Sequence, residues 1–109
     1  MTRVLVSALA KQDVRDILQD LSERAGHAVA NRYAADFKHV YRSLVEFPAG
    51  GPPRRSLGRD ARIKIVYPYV VFYEYRADTV TILRVLHGHR DVTAELLARS
   101  RGVAPLSGG

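Results

Sequence analysis

The stretch Tyr69 to Asp91, YVVFYEYRADTVTILRVLHGHRD, constrains the fold of this chain more than any other. Its two runs, Tyr69 to Tyr75 and Val80 to His87, are rich in β-branched and aromatic residues, which suit a pleated, half-buried surface. The short polar connection Arg76 to Thr79 joins them, so the pair reads as a β-hairpin. Gly88 then ends the second run, and His89, Arg90 and Asp91 follow at the rim of a sheet.

Upstream, Arg62 to Tyr67 (RIKIVY) alternates polar and apolar residues at period two, which predicts a strand with Ile63 and Ile65 on one face. Pro68 separates it from the hairpin, so three consecutive strands form an antiparallel meander. Arg3 to Ser7 is an opening strand, and Ser7 is placed to cap the helix after it. That strand must join the sheet, because alone its backbone groups would stay unpaired.

Between the first strand and the meander lie two helices. Val14, Ile17, Leu18 and Leu21 share one face of a helix from Leu9 to Ala25, and Gly26 stops it. Ala30, Tyr33, Phe37, Val40 and Leu44 form the apolar seam of a second, from about His27 to Glu46, ended by Pro48. Little more than Gly26 separates them, so they fold back as an antiparallel hairpin. Ala49 to Pro53 (AGGPP) and Arg54 to Arg62 (RRSLGRDAR) are turn-prone. Asp91 or Thr93 caps a short last helix through Ala94, Leu96, Leu97 and Ala98, and residues 102–109 (GVAPLSGG) read as a loose tail. The expected architecture is α+β: the N-terminal strand and helical hairpin on one face of an antiparallel sheet, the other face free, and a short C-terminal helix. Residues 1–101 form a single domain.

Composition narrows the partners. A chain of 109 residues buries roughly 65% of its unfolded surface, enough for one modest core. There is no cysteine, which removes disulfides, thiolate metal sites and a cysteine nucleophile. Seventeen basic residues face eleven acidic ones, a net +6, and fourteen of the seventeen are arginine. That balance points to an acidic protein partner or a nucleic acid. No apolar run approaches the ~20 residues a bilayer requires. The apolar run Val4 to Ala10 flows straight into the charged KQDVRD, so a first strand explains it better than a signal sequence, and a cytoplasmic location is expected.

Several side chains admit two readings. His87 and His89 would share a face on a continuing strand, but Gly88 interrupts it and no third ligand is near, so no metal is expected. His87 reads as a packed or hydrogen-bonded sheet residue, and His89 is of the residue type that serves as a general base. Arg84 interrupts an apolar strand, so it either pairs with Glu74 or faces the open side of the sheet toward a partner. Arg90 and Asp91 either pair or cap the last helix, or Arg90 serves function at the exposed sheet end. Of Tyr67, Tyr69, Tyr73 and Tyr75 some must be core, while any on the open face would anchor a partner helix. Arg54, Arg55, Arg59 and Arg62 are either a solvated loop or a landing site for an acidic segment that folds on binding.

The ordered set DVRDILQDL, RYAADFKHVYRSL, FPAGGPPRRSLGRDARI, YVVFYEY and ILRVLHGHRD, spanning roughly residues 3 to 92, resembles the ParE/RelE superfamily, the toxins of bacterial type II toxin–antitoxin pairs. The mRNA-cleaving branch of that family relies on cations around the sheet and on a group that activates the 2′-hydroxyl. Here Arg62, Lys64, His89 and Arg90 would be that set. Yet Tyr69 to Tyr75 carries no cation, and Val92 to Gly109 carries neither tyrosine nor histidine. The resemblance therefore leans to the ParE branch. It implies a gyrase-inhibiting toxin with no catalytic site and no cofactor, held in a hetero-oligomer by an acidic ParD-like antitoxin. The surface for antitoxin or target would draw on Arg54, Arg55, Arg59, Arg62, Tyr73, Arg84, His87, His89 and Arg90. The alternatives are a ribosome-dependent endoribonuclease and a homologue that has lost its potency and only binds antitoxin.

Overall fold

The structure, a computed structural model, describes residues 2–101 and 103–105. It runs β1 (Arg3–Ser7), α1 (Ala8–Ala25), α2 (His27–Glu46), a 3-10 turn (Arg55–Leu57), β2 (Ala61–Val66), β3 (Tyr69–Arg76), β4 (Thr79–His87), α3 (Ala94–Ala98) and β5 (Val103–Pro105). The sheet order is β2-β3-β4-β1-β5. β2, β3 and β4 form the expected meander, and β1 joins it parallel to β4.

Ser7 makes the junction between sheet and helix. Its hydroxyl accepts from the Ala10 N–H at 2.9 Å, capping α1, and donates to the Leu83 carbonyl at 2.7 Å. Gly26, at φ 94, takes a left-handed backbone that lets α2 start directly after α1. The two helices lay Ala10, Phe37, Val40 and Leu44 on Val4, Val6, Val71, Tyr73, Val80, Ile82 and Val85 of the sheet. Each such fully buried aliphatic or aromatic side chain contributes about 1.5–3 kcal/mol.

The second face of the sheet is covered as well, contrary to the expectation of a free face. Ile63, Phe72, Leu83 and Leu86 form a second core, closed by Leu97 and Leu96 of α3 and by Leu57 of the 3-10 turn. Thr93 caps α3, its side chain accepting from the Leu96 N–H at 3.1 Å. The physical reason lies in β3 and β4: their inner and outer positions are both apolar, and such strands are buried on both faces. The loose tail is also corrected in part, because Val103–Pro105 pairs antiparallel with Leu5 to Ser7 of β1. An uncovered β1 would expose a row of backbone donors and acceptors, and β5 takes them up. Residues 102 and 106–109, the rest of that stretch, lie outside the described residues.

The pairing of β3 with β4 carries one irregularity. Between Phe72 and Tyr73 the register slips: Tyr73 pairs with Ile82 and Phe72 with Arg84, leaving Leu83 as the extra residue of a bulge. The slip aims Arg84 at the junction between β4 and α1.

Candidate partner-binding surface

The cations singled out in the sequence separate into two groups. Arg84 belongs to the interior. Its guanidinium forks onto Asp13 of α1, Nε to Oδ2 at 2.7 Å and NH2 to Oδ1 at 2.8 Å, with both side chains about 12–13% exposed. Asp13 Oδ2 also accepts the Val85 N–H at 2.9 Å, on the stretch of β4 that runs past the last β1–β4 pair, Val6 with Ile82. The bidentate hydrogen bonds that Arg84 donates to Asp13 raise its pKa above the ordinary value, outweighing burial. Arg84 therefore neither pairs with Glu74 nor faces a partner. Glu74 instead accepts from Arg101, at 3.0 and 3.3 Å.

Arg62 is half-spent on the fold. Its NH1 donates to the carbonyls of Ala49, at 3.2 Å, and Gly51, at 2.9 Å, tying the loop after α2 to β2. Tyr73 holds the same loop from inside. It is fully buried, donates to the Pro48 carbonyl and accepts from the Gly51 N–H, each at 2.9 Å. Burial raises its pKa, with the Gly51 hydrogen bond and Arg62 opposing. Tyr73 was expected on a partner-facing surface, and its position excludes direct contact. Gly51 is where the loop comes closest: a Cβ there would stand 2.0 Å from the Ile63 carbonyl oxygen.

The second group is exposed. Arg54, Arg55 and Arg59 lie on the 3-10 turn and the approach to β2. His87, His89 and Arg90 occupy the exposed corner after β4. There Gly88 turns the chain, its N–H donating to the Pro68 carbonyl at 2.8 Å, and the two imidazoles stack with centroids 4.8 Å apart. His87 Nδ1 accepts the His89 N–H at 3.1 Å, and its ring meets the edge of Tyr69 at 5.9 Å. Burial, then Tyr33 and Asp20, push the Tyr69 phenol up.

The four residues expected for RNA cleavage do not meet at one cleft. Lys64 pairs with Val71 on β3, while His87, the start of the histidine corner, pairs with Tyr69 two residues along and one strand further. Strand spacing separates their backbones by roughly 12 Å. Lys64 Nζ reaches toward Gly50, and Arg62 is engaged at the same end, whereas His89 and Arg90 lie past the other end. Among the described residues no carboxylate hydrogen-bonds either imidazole, and no group of three metal-ligating side chains forms.

Two large apolar side chains of β2 and the turn after it stand exposed. Ile65 shares a face with buried Ile63 but is 63% exposed, and Tyr67 is 84% exposed. Periodicity identifies the face of a strand correctly, but only the sheet order shows that β2 is an outer strand, its far end uncovered among the described residues.

The helical hairpin on a mixed sheet and the excess of cations define a small basic α+β module. Residues 4–92 match the family model described as the ParE toxin of the type II toxin–antitoxin system parDE, and the chain belongs to that family. It is 30% identical over 96 residues to Toxin ParE3 of Caulobacter vibrioides, covering 88% of this chain and 96% of that protein. Its fold is similar to a solved structure described as a chromosomal ParDE TA system from P. aeruginosa, with a TM-score of 0.68 and 18% identity over 80% of this chain and 96% of the other. Among the described residues no helix is long and apolar enough to cross a membrane.

Proposed function

We propose that this toxin acts in the cytoplasm by binding DNA gyrase, without hydrolytic chemistry of its own, and that a cognate acidic antitoxin neutralises it in a hetero-oligomer. Membership of the ParE family supports the reading. The observation that carries it is the dispersal of Arg62, Lys64, His89 and Arg90. Charge stabilisation at a transferring phosphoryl group needs donors fixed around one position. Here Arg62 is bound to a loop, and His89 is stacked on His87 with no carboxylate among the described residues to orient it.

Contact with antitoxin or target falls to the exposed group: Arg54, Arg55 and Arg59 on one side, His87, His89 and Arg90 on the other. Exposed cations of this kind steer an acidic partner and raise its association rate more than its final affinity. The test is a supercoiling assay with purified chain and gyrase, run beside a translation reaction. Inhibited supercoiling or accumulated cleaved DNA, with mRNA left intact, is the expected result. Normal supercoiling at saturating toxin, or mRNA cut in the ribosomal A site, would reject it.

A further inference from the structure

The outer edge of β2 changes character at Ile65. Up to Ile63 that edge is covered: Pro53 bridges to Arg62, Arg54 N–H donates to the Ala61 carbonyl at 2.8 Å, and Ile63 N–H donates to the Pro52 carbonyl at 3.1 Å. Antiparallel strands turn alternate residues toward each neighbour, so the outward positions are Ala61, Ile63 and then Ile65. Beyond Ile63, no backbone partner meets this edge among the described residues, and at its end the Tyr67 carbonyl accepts from the Tyr33 hydroxyl at 3.2 Å. Ile65 thus presents an N–H and a C=O to solvent, beside its own exposed side chain and that of Tyr67. The opposite edge of the sheet is taken by β5.

Grooves flank the open edge on both faces. On the α2 side, Arg32, Tyr33, Asp36 and His39 line one of about 300 Å³. On the other side, Pro68, Val70, His87 and His89 line one of about 240 Å³. Side chains of a strand alternate between faces, so a strand laid along Ile65 to Tyr67 would drop successive side chains into the two grooves in turn. Main-chain bonds at an edge combined with alternating pockets are the physical requirements for strand addition.

We propose that the outer edge of β2 from Ile65 to Tyr67 is a strand-addition site for an extended, acidic segment of a protein partner. Charge selects the occupant. Arg32 lines the α2-side groove and Lys64 reaches from beside Ile65 toward Gly50, neither in an ion pair among the described residues; Asp36 is the one carboxylate of that groove, and no acidic side chain lines the other. A second copy of the chain would bring the same cations and a net +6 against its own kind. An acidic segment alternating with apolar residues meets both the grooves and the field. The site is independent of the gyrase reading, since a chain that leaves gyrase untouched can still accept a strand.

The test uses the full chain and a fluorescent peptide of four Val-Glu repeats, followed by anisotropy and by amide exchange. Ile65→Pro removes the outward donor but spares the β2–β3 ladder, because that N–H does not point at β3. Binding of the Val-Glu peptide should fall by about tenfold or more in Ile65→Pro, and by a similar factor for a Val-Lys peptide on the unaltered chain. The Ile65 amide should become protected when the Val-Glu peptide binds. A Val-Glu peptide N-methylated at alternate residues repeats the test on the unaltered chain, whatever the fold of the proline variant, and should also bind about tenfold worse. Equal binding of the acidic and basic peptides, undiminished binding after N-methylation, or protection at β1 in place of Ile65 would each overturn the proposal. Self-association without peptide that Ile65→Pro abolishes would make a second copy the occupant, and the proposed partner would be wrong.

Discussion

Arg84 and Arg90 lie on the same strand and the turn that follows it, yet they do opposite work. Arg84 is locked to Asp13, closing the sheet against α1, while Arg90 stands exposed beside stacked histidines. The difference teaches that a count of cations says little about how many are available to a partner. Arg84 and, in part, Arg62 belong to the fold; Arg54, Arg55, Arg59 and Arg90 stand exposed. The exposed helical pairs Arg24–Asp20 and Arg99–Glu95 are a third category, worth about 0.3–0.5 kcal/mol each.

The largest expected effect is at the closed end of that contrast. Asp13→Ala leaves Arg84 uncompensated and the Val85 N–H unpaired, and should destabilise the chain by about 3–5 kcal/mol in urea unfolding. The double variant Asp13→Leu with Arg84→Met should recover much of the loss, since both charges then leave together. If Asp13→Ala unfolds like the unaltered chain, the ion pair is not structural and the contrast fails.

Next comes Tyr73→Phe. It strands the Pro48 carbonyl and Gly51 N–H in a buried setting, for a loss of about 1–3 kcal/mol. Supercoiling inhibition at a temperature where the variant remains folded should be unchanged, because Tyr73 is fully buried. A selective loss of inhibition in a fully folded sample would return Tyr73 to the binding surface.

Alkaline pH offers a third probe. Tyr41, Tyr69 and Tyr73 are all held above the ordinary phenol value of 10, chiefly by burial. The folded chain therefore keeps protons that the unfolded chain releases, so stability falls as pH rises. The contribution is complete below about pH 10 and disappears as the pH climbs through the raised folded values. Thermal melts should hold steady on this account up to that point and then drop, with a shallower drop in Tyr41→Phe. An identical drop in that variant would mean Tyr41 contributes nothing.

The smallest effect on stability belongs to the free cations. Replacing Arg54, Arg55 and Arg59 together by Glu should change unfolding by no more than about 0.5 kcal/mol per site. The same change should slow association with an acidic antitoxin, most clearly at low salt. Unaltered association rates would show that this turn is only a solvated loop.

Both helices, the hairpin and the capping by Ser7 were legible because each depends on local spacing: a 3.6-residue apolar repeat, a period-two run, a hydroxyl before a helix. The family resemblance was legible for the same reason, as an ordered set of local segments. The covered second face was less so, although YVVF and the apolar run around Arg84 carry the signal of strands buried on both sides. The roles of individual site residues were hardest to read. Arg84 meets an aspartate 71 residues away, and Glu74 an arginine 27 residues away. The β4 bulge, which aims Arg84, leaves no mark in composition.

Periodicity and turn chemistry act between neighbours along the chain, so the order of residues alone dictated the helices, the meander and the lineage. Which strand is outermost, which arginine is consumed by a carboxylate and which tyrosine is sealed inside depend on segments meeting across the sheet. Those choices belong to the tertiary structure, because burying a charge or an amide is tolerable only where a distant partner arrives to satisfy it.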